Sequence, residues 1–158
     1  MKNFSSFLFL LLIGVIALIL MNSGALRFFN INPNLFLLFI IALIATRAKN
    51  SIIVSLLFFS LFVGFVLYPF WILEYSLLCL VGFLLLFFRS RLTGNQISDS
   101  LILSFSGSLF FSLCLWFFSH SSFSISQLLY QLIYDLICGF IFVLLLRPII
   151  KRGGISKL

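Results

Sequence analysis

The sequence contains apolar stretches about as long as a lipid bilayer is thick. A hydrocarbon core of about 30 Å is crossed by roughly 20 helical residues, with about 17 to 25 tolerated. Four segments reach that length: Phe4 to Met21, Ile52 to Tyr68, Trp71 to Phe88 and Leu101 to Phe118. The chain is 63% hydrophobic and only 8% charged, so a soluble domain of 158 residues could not bury its apolar surface. We therefore predict an all-α polytopic bundle in a lipid bilayer.

Two further segments complete a prediction of six helices. Leu128 to Ile150 is long enough but carries polar residues in its first half, and Leu35 to Ala45 is short and is opened by Pro33. A single helix from 51 to 88 would cover about 57 Å, so Pro69 is expected to divide that run into two antiparallel helices. We predict one transmembrane domain with helices at about 4–21, 34–46, 51–68, 71–88, 100–118 and 127–150.

The basic residues orient the predicted bundle. Cytoplasmic loops of membrane proteins carry an excess of Lys and Arg. With six spans and both termini in the cytoplasm, only Arg27 of the ten basic residues lies outside. The cytoplasmic set is then Lys2, Arg47, Lys49, Arg89, Arg91, Arg147, Lys151, Arg152 and Lys157. Because the net charge of +7 follows this pattern, it does not indicate binding to nucleic acid.

Two alternatives for the first third of the chain stay open. A five-span chain that starts outside and lacks helix 34–46 also places nine of the ten basic residues inside, with Lys2 as the exception. Residues 1–25 could instead be a signal peptide cleaved near Ser23-Gly24-Ala25, although their apolar stretch exceeds the roughly 7 to 15 residues of such signals. Charge thus fixes the orientation only after Thr46.

Tyrosine and tryptophan side chains give a second indication of sidedness, because both are enriched at membrane interfaces. All of those at or near the predicted helix ends fall in the outer half of the bundle. They are Tyr68, Trp71, Tyr75, Trp116, Tyr130 and Tyr134. Glu74 lies one turn inside the fourth helix, next to Trp71, and we predict that both side chains lie at the outer interface.

The sixth helix carries a polar stripe. Gln127, Gln131 and Asp135 are spaced i, i+4, i+8 and so share one face, with Tyr130 and Tyr134 in a neighbouring stripe. Asp135 is predicted near mid-membrane, where an acid costs at least about 2.5 kcal/mol and needs a partner, water or the bundle interior. The stripe predicts either an outward-facing polar cleft for a small molecule or partner helix, or a hydrogen-bonded seam within the bundle.

A ridge of small residues follows the fifth helix. Serines recur at four-residue intervals, at Ser100, Ser104, Ser108 and Ser112. Small side chains on one ridge let a second helix approach closely, and this favours helix packing over a pore lining. At the start of the same helix, Asp99 or Ser98 is expected to act as the N-cap.

Catalytic and metal-binding patterns are missing from the sequence. His120 is the only histidine, and Cys79, Cys114 and Cys138 lie in apolar runs without CxxC spacing. No P-loop, HExxH or GxSxG motif is present. We therefore predict a non-enzymatic protein with no cofactor and no metal site.

Several short segments together resemble a known family. Pro33-Asn34-Leu35 opens a short second helix, and Gly64-Phe65 lies in the third. Tyr134-Asp135 is followed by an apolar run that ends in Leu145-Leu146-Arg147-Pro148. With the chain length, six spans and a basic tail, this order resembles the rod shape-determining membrane protein MreD family.

The resemblance implies a scaffold of the bacterial cell-wall elongation complex in the inner membrane. Such a protein binds MreC and, through it, MreB filaments and peptidoglycan synthases. The family also resembles in fold the substrate-binding S-components of energy-coupling factor vitamin transporters, so a vitamin-binding subunit is the alternative, and a small channel or exporter subunit is a third. Because one helix supplies most of the predicted polar groups, the sequence favours the scaffold over a ligand binder.

Overall fold

The computed structural model describes residues 2–26, 32–68, 71–119 and 124–152, with no side-chain detail for 2–6, 119 and 152. Three of the predictions above fall outside these residues. They are the outer loop with Arg27, the turn at Pro69 and the basic tail with Lys157. His120 lies outside them as well.

Within the described residues, the chain forms six α-helices and no strand. They are α1 (Lys2–Ser23), α2 (Leu35–Ala45), α3 (Asn50–Leu67), α4 (Ile72–Phe88), α5 (Gln96–Ser119) and α6 (Ile125–Arg152). By length and composition, α3, α4, α5 and α6 can each cross a membrane, whereas α2 and the apolar part of α1, Phe7–Ser23, are shorter. The architecture is that of an all-helical bundle compatible with a multi-pass membrane protein.

Helix α2 forms the centre of the bundle. Each of its 11 residues is buried, none more than 4% exposed. The other five helices all contact it, with α6 and α5 making the broadest contacts. A helix that is apolar on every side is stable only where every side is covered by lipid or protein. Here the protein itself supplies that cover.

The polypeptide caps both ends of α2. At the N-terminus, the Asn34 carboxamide oxygen accepts a hydrogen bond from the Leu37 amide at 3.1 Å. At the C-terminus, the Thr46 hydroxyl donates to the Ala42 carbonyl at 2.6 Å. Arg47 then adopts the left-handed conformation, with φ of 58°, which reverses the chain towards α3.

The basic residues of the described loops gather at one end of the bundle, here called the basic end. Arg89, at the end of α4, donates hydrogen bonds to the Ala48 carbonyl at 2.6 Å and to the Asn50 side chain. Its guanidinium group therefore joins the α2–α3 turn to α4. Because Arg47, Arg89 and Arg91 all lie here, this end corresponds to the predicted cytoplasmic side.

Helix α5 begins earlier than expected, at Gln96. Asn95 caps its first turn by accepting a hydrogen bond from the Ile97 amide at 3.2 Å. The expectation that Asp99 or Ser98 is the N-cap is therefore wrong. The buried Asp99 carboxyl group instead accepts hydrogen bonds from the amides of Thr93 and Gly94, each at 2.9 Å. Asp99 thus holds the α4–α5 loop against the helix.

Glycines allow the closest helix–helix approaches. A methyl group added at Gly64 of α3 would lie 2.7 Å from the Cβ of Tyr75 in α4. A methyl group at Gly139 of α6 would collide with the Ser104 hydroxyl of α5. These contacts fix the antiparallel registers of α3 with α4 and of α5 with α6.

Candidate functional site

A polar cavity opens at the end of the bundle opposite the basic end. Its volume is about 490 Å³, within the roughly 300 to 1,000 Å³ of small-molecule sites. Its lining combines amide, hydroxyl and carboxyl groups with apolar side chains. The lining residues are Met21, Asn22, Ser23, Gly24, Asn32, Asn34, Trp71, Glu74, Phe111, Ser112, Leu115 and Gln131.

The polar groups of this cavity come from five parts of the chain. Asn22 and Ser23 end α1, Asn32 and Asn34 precede α2, Glu74 lies in the first turn of α4, Ser112 in α5 and Gln131 in α6. The sequence-based expectation that a single helix supplies most of the polar groups is therefore wrong. The polar lining is therefore compatible with ligand binding.

Gln131 connects the cavity to a buried acid. Its side-chain amide donates to both carboxyl oxygens of Asp135, at 3.2 and 3.1 Å, and to the Asn32 backbone carbonyl at 3.3 Å. Asp135 is only 2% exposed. The Ser108 hydroxyl and the Asn34 backbone also face its carboxyl group, although Ser108 does not complete a hydrogen bond of good geometry. Asp135 thus lies beneath the cavity, bonded to Gln131 of its own helix and next to polar groups of two other segments.

The predicted stripe on α6 divides into two parts. Gln131 and Asp135 point into the bundle, whereas Gln127 and Tyr130 are exposed on its surface. Tyr134 is half-buried, and its hydroxyl donates to the Leu26 carbonyl at 3.0 Å, so it fastens the end of α1 to α6. The structure therefore brings two of the five stripe residues to the cavity region and places the others outside it.

The serine ridge on α5 also divides. Ser100, Ser104 and Ser108 are buried, and α5 makes its broadest contact with α6. Ser104 lies against Gly139 of that helix, at the closest approach of the pair. Ser112, one turn beyond Ser108, lines the cavity instead.

Glu74 and Trp71 lie at the rim of the cavity. Trp71 is half exposed, and Glu74 is partly buried at the start of α4. Glu74 makes no hydrogen bond or ion pair with any residue that the structure describes. Its neighbour Tyr75 is buried, stacks on Tyr68 and accepts a hydrogen bond from the Asn22 side chain at 2.6 Å. The rim of the cavity is therefore anchored, while the Glu74 carboxyl group remains available.

Sequence reasoning missed the asparagines of the cavity. Asn22, Asn32 and Asn34 are isolated polar residues near helix ends, where an asparagine is usually a cap or a turn residue. The α1–α2 connection did offer one signal, since four asparagines, Asn22, Asn30, Asn32 and Asn34, lie between two largely apolar helices. The sequence could not show that they face one another.

A second feature is an apolar groove between α1 and α6, of about 270 Å³. Leu35 of the central helix α2 is one of its lining residues. The remaining lining residues are Ile13, Ile16, Ala17, Leu20 and Leu26 on the α1 side and Cys138, Ile141, Phe142 and Leu145 on α6. The groove presents almost no polar surface. Its occupant is therefore expected to be an apolar group that lies within the membrane.

No cluster of three or more metal-ligating side chains occurs among the described residues, and Cys79, Cys114 and Cys138 are free thiols. Comparisons with protein-family models, with curated proteins and with solved structures found no match.

Proposed function

We propose that this chain is a non-enzymatic scaffold in the bacterial cytoplasmic membrane, MreD-like, with six spans and both termini in the cytoplasm. In this role it binds an MreC-like partner and, through it, MreB and the peptidoglycan synthases, and so helps to maintain cell shape. The supporting sequence features are the segments at Pro33-Asn34-Leu35, Gly64-Phe65 and Tyr134-Asp135.

The apolar groove between α1 and α6 is the observation that carries this proposal. The described connections between helices are short, so a partner finds little extramembrane surface to bind. The groove offers an apolar recess of about 270 Å³ that reaches the central helix at Leu35. Helix association in membranes depends on close van der Waals packing, which a recess of this kind provides. Its proposed occupant is the transmembrane helix of the MreC-like partner.

Affinity purification from native membranes tests the proposal. The wild-type chain should recover an MreC-like protein together with wall-synthesis proteins. Ala17→Trp fills the groove at a buried position and should reduce that recovery at least about tenfold. Leu84→Trp, on the exposed face of α4, is the matched control and should leave recovery unchanged.

Two results would overturn the scaffold proposal. One is recovery of ATPase subunits with a basic transmembrane coupling protein in place of wall-synthesis proteins. The other is equal recovery by the Ala17→Trp and Leu84→Trp variants, since the groove would then not be the surface that binds the partner.

The polar cavity favours a second candidate, the substrate-binding subunit of an energy-coupling factor type transporter. Polar groups from five segments surround a concave volume that opens at one end of the bundle, as a solute site requires. Joint replacement of Gln131 and Asp135 by Leu should then abolish uptake, because it removes the buried hydrogen-bonded pair below the cavity. Gln127→Leu, at an exposed position on the same helix, should leave uptake unchanged. Unchanged uptake in the double variant would count against this candidate.

A further inference from the structure

The hydrogen bonds around the cavity fix which atoms its amide side chains present to a ligand. The side-chain N–H group of Asn32 donates a hydrogen bond to the Met21 carbonyl. The side-chain N–H groups of Gln131 donate hydrogen bonds to the Asp135 carboxyl group and to the Asn32 backbone carbonyl. All of these partners can only accept hydrogen bonds in these contacts, so neither amide can be turned round without losing them. Each therefore keeps its carbonyl oxygen out of these hydrogen bonds.

One of these oxygens is left without a partner. The Asn32 side-chain oxygen is buried and accepts no hydrogen bond from the described residues. A buried oxygen without a donor is destabilising, so a hydrogen-bond donor placed next to it would be stabilising. The Asn22 side chain differs, because its partner at 2.6 Å is the Tyr75 hydroxyl, which can donate as well as accept and so does not fix which way that amide faces.

The carboxyl group of Glu74 adds to this set of acceptors. It lines the same cavity and makes no hydrogen bond or ion pair with the described residues. Asp135 lies one helical turn below Gln131, so a second acid is close to the inner end of the cavity. None of the described lining residues is Lys, Arg or His. The described part of the cavity is thus rich in acceptors, and its one acid, Glu74, has no basic partner among the described residues.

We infer that the outer cavity binds an organic cation through an ammonium or guanidinium group, held by Glu74 and by the carboxamide oxygens of Asn32 and Gln131. Such groups carry three to five hydrogen-bond donors and no acceptor, which complements this lining. Trp71 at the rim and Phe111 deeper in the wall offer aromatic surface for the apolar part of the ligand or for the cation itself. This inference rests on the second candidate function and names its ligand class.

The same ammonium chemistry has two sources, a free amine in solution or the ethanolamine headgroup of a phospholipid. Binding is best measured with the full chain in nanodiscs, using Trp71 as the fluorescent reporter in a Trp116→Phe background. The cationic probes are putrescine and agmatine, and the comparison probes are glucose and acetate. Nanodiscs made of phosphatidylglycerol alone and with phosphatidylethanolamine added distinguish the two sources.

Saturable quenching by putrescine or agmatine, but not by glucose or acetate, is the expected result. Glu74→Gln should weaken that binding at least tenfold, and Gln127→Leu, an exposed position outside the cavity, should leave it unchanged. If the headgroup is the natural ligand, added phosphatidylethanolamine should compete with putrescine; if a free amine is, the affinity should be the same in both nanodiscs.

Other outcomes refute the inference in distinguishable ways. Saturable binding of glucose or acetate, or cation binding unaffected by Glu74→Gln, would leave a solute-binding cavity but refute its selectivity for cations. Absence of saturable binding by every probe, with the helix content of the protein intact by circular dichroism, would refute both the inference and the second candidate function.

Discussion

Replacing Gly64 by Ala should destabilise the bundle much more than the same change at Gly82. Both glycines lie at the contact between α3 and α4, at symmetric places in its antiparallel register. At Gly64 the added methyl group would lie 2.7 Å from the Cβ of Tyr75, an atom that cannot move unless the α4 backbone moves. At Gly82 it would meet the Cδ2 of Leu57 at 2.5 Å, and the end of a leucine side chain can rotate away.

The magnitudes follow from these two contacts. Overpacking against an atom that cannot yield costs about 1 to 3 kcal/mol, and displacement of Tyr75 also removes its hydrogen bond with Asn22, worth about 1 kcal/mol. Both substitutions gain about 1 kcal/mol of helix propensity, which cancels in their comparison. Gly64→Ala should therefore lower the free energy of unfolding by about 1 to 3 kcal/mol, whereas Gly82→Ala should stay within about 1 kcal/mol of wild type.

Reversible unfolding in mixed detergent micelles with increasing sodium dodecyl sulfate, followed by circular dichroism, measures this difference. The wild-type chain and both variants are compared at equal total detergent. Equal unfolding midpoints for the two variants, or a lower midpoint for Gly82→Ala, would show that the α3–α4 contact is not packed as described.

Three further outcomes are expected. In a cysteine-free background, a cysteine at position Ser23 should react with an impermeant maleimide from outside and one at Ser90 only after permeabilisation, whereas a five-span chain would protect Ser23. Arg89→Leu should lower the free energy of unfolding by about 1.5 to 3 kcal/mol in the same detergent titration, because it removes a charged hydrogen-bond donor. Arg91→Leu, at an exposed position, should change the free energy of unfolding by less than about 0.5 kcal/mol. Asn34→Ala should cost about 1 kcal/mol through loss of the α2 cap, and an unchanged unfolding midpoint would contradict that role.

The sequence contains enough information for the helices because apolar length is itself the signal. A run such as Phe4 to Met21 can satisfy its backbone in lipid only as a helix, so element type follows directly from composition. The position of each helix does not follow in the same way. Leu35 to Ala45 is apolar on all sides, and that pattern is the same for a helix facing lipid and for one enclosed by protein. The central place of α2 is therefore visible only in three dimensions.

The candidate site was only partly predictable, for a related reason. Gln131 and Asp135 share one helix, so their four-residue spacing was enough to predict that they lie on one face. Asn22, Asn32 and Glu74 come from different segments, and no sequence period relates them. A cavity built by several single polar residues leaves no periodic trace in a sequence of apolar helices.

The shortness of α2 explains why a cavity exists at all. Its 11 residues extend about 16 Å, roughly half of the thickness that a hydrocarbon core of about 30 Å requires. Arg89 holds the C-terminal end of α2 at the basic end of the bundle. The N-terminal end of α2, at Asn34, therefore reaches only the level of Asp135. Asp135 itself lies about 15 Å along α6 from Ile125. In a bilayer, the non-helical residues Asn32 to Asn34 would therefore lie at membrane depth, where such backbone is tolerated only inside protein or beside a polar cavity. The asparagines, Gln131 and Asp135 provide hydrogen-bond partners for that segment. The short helix α2, which leaves the number of spans open in the sequence, therefore also creates the site.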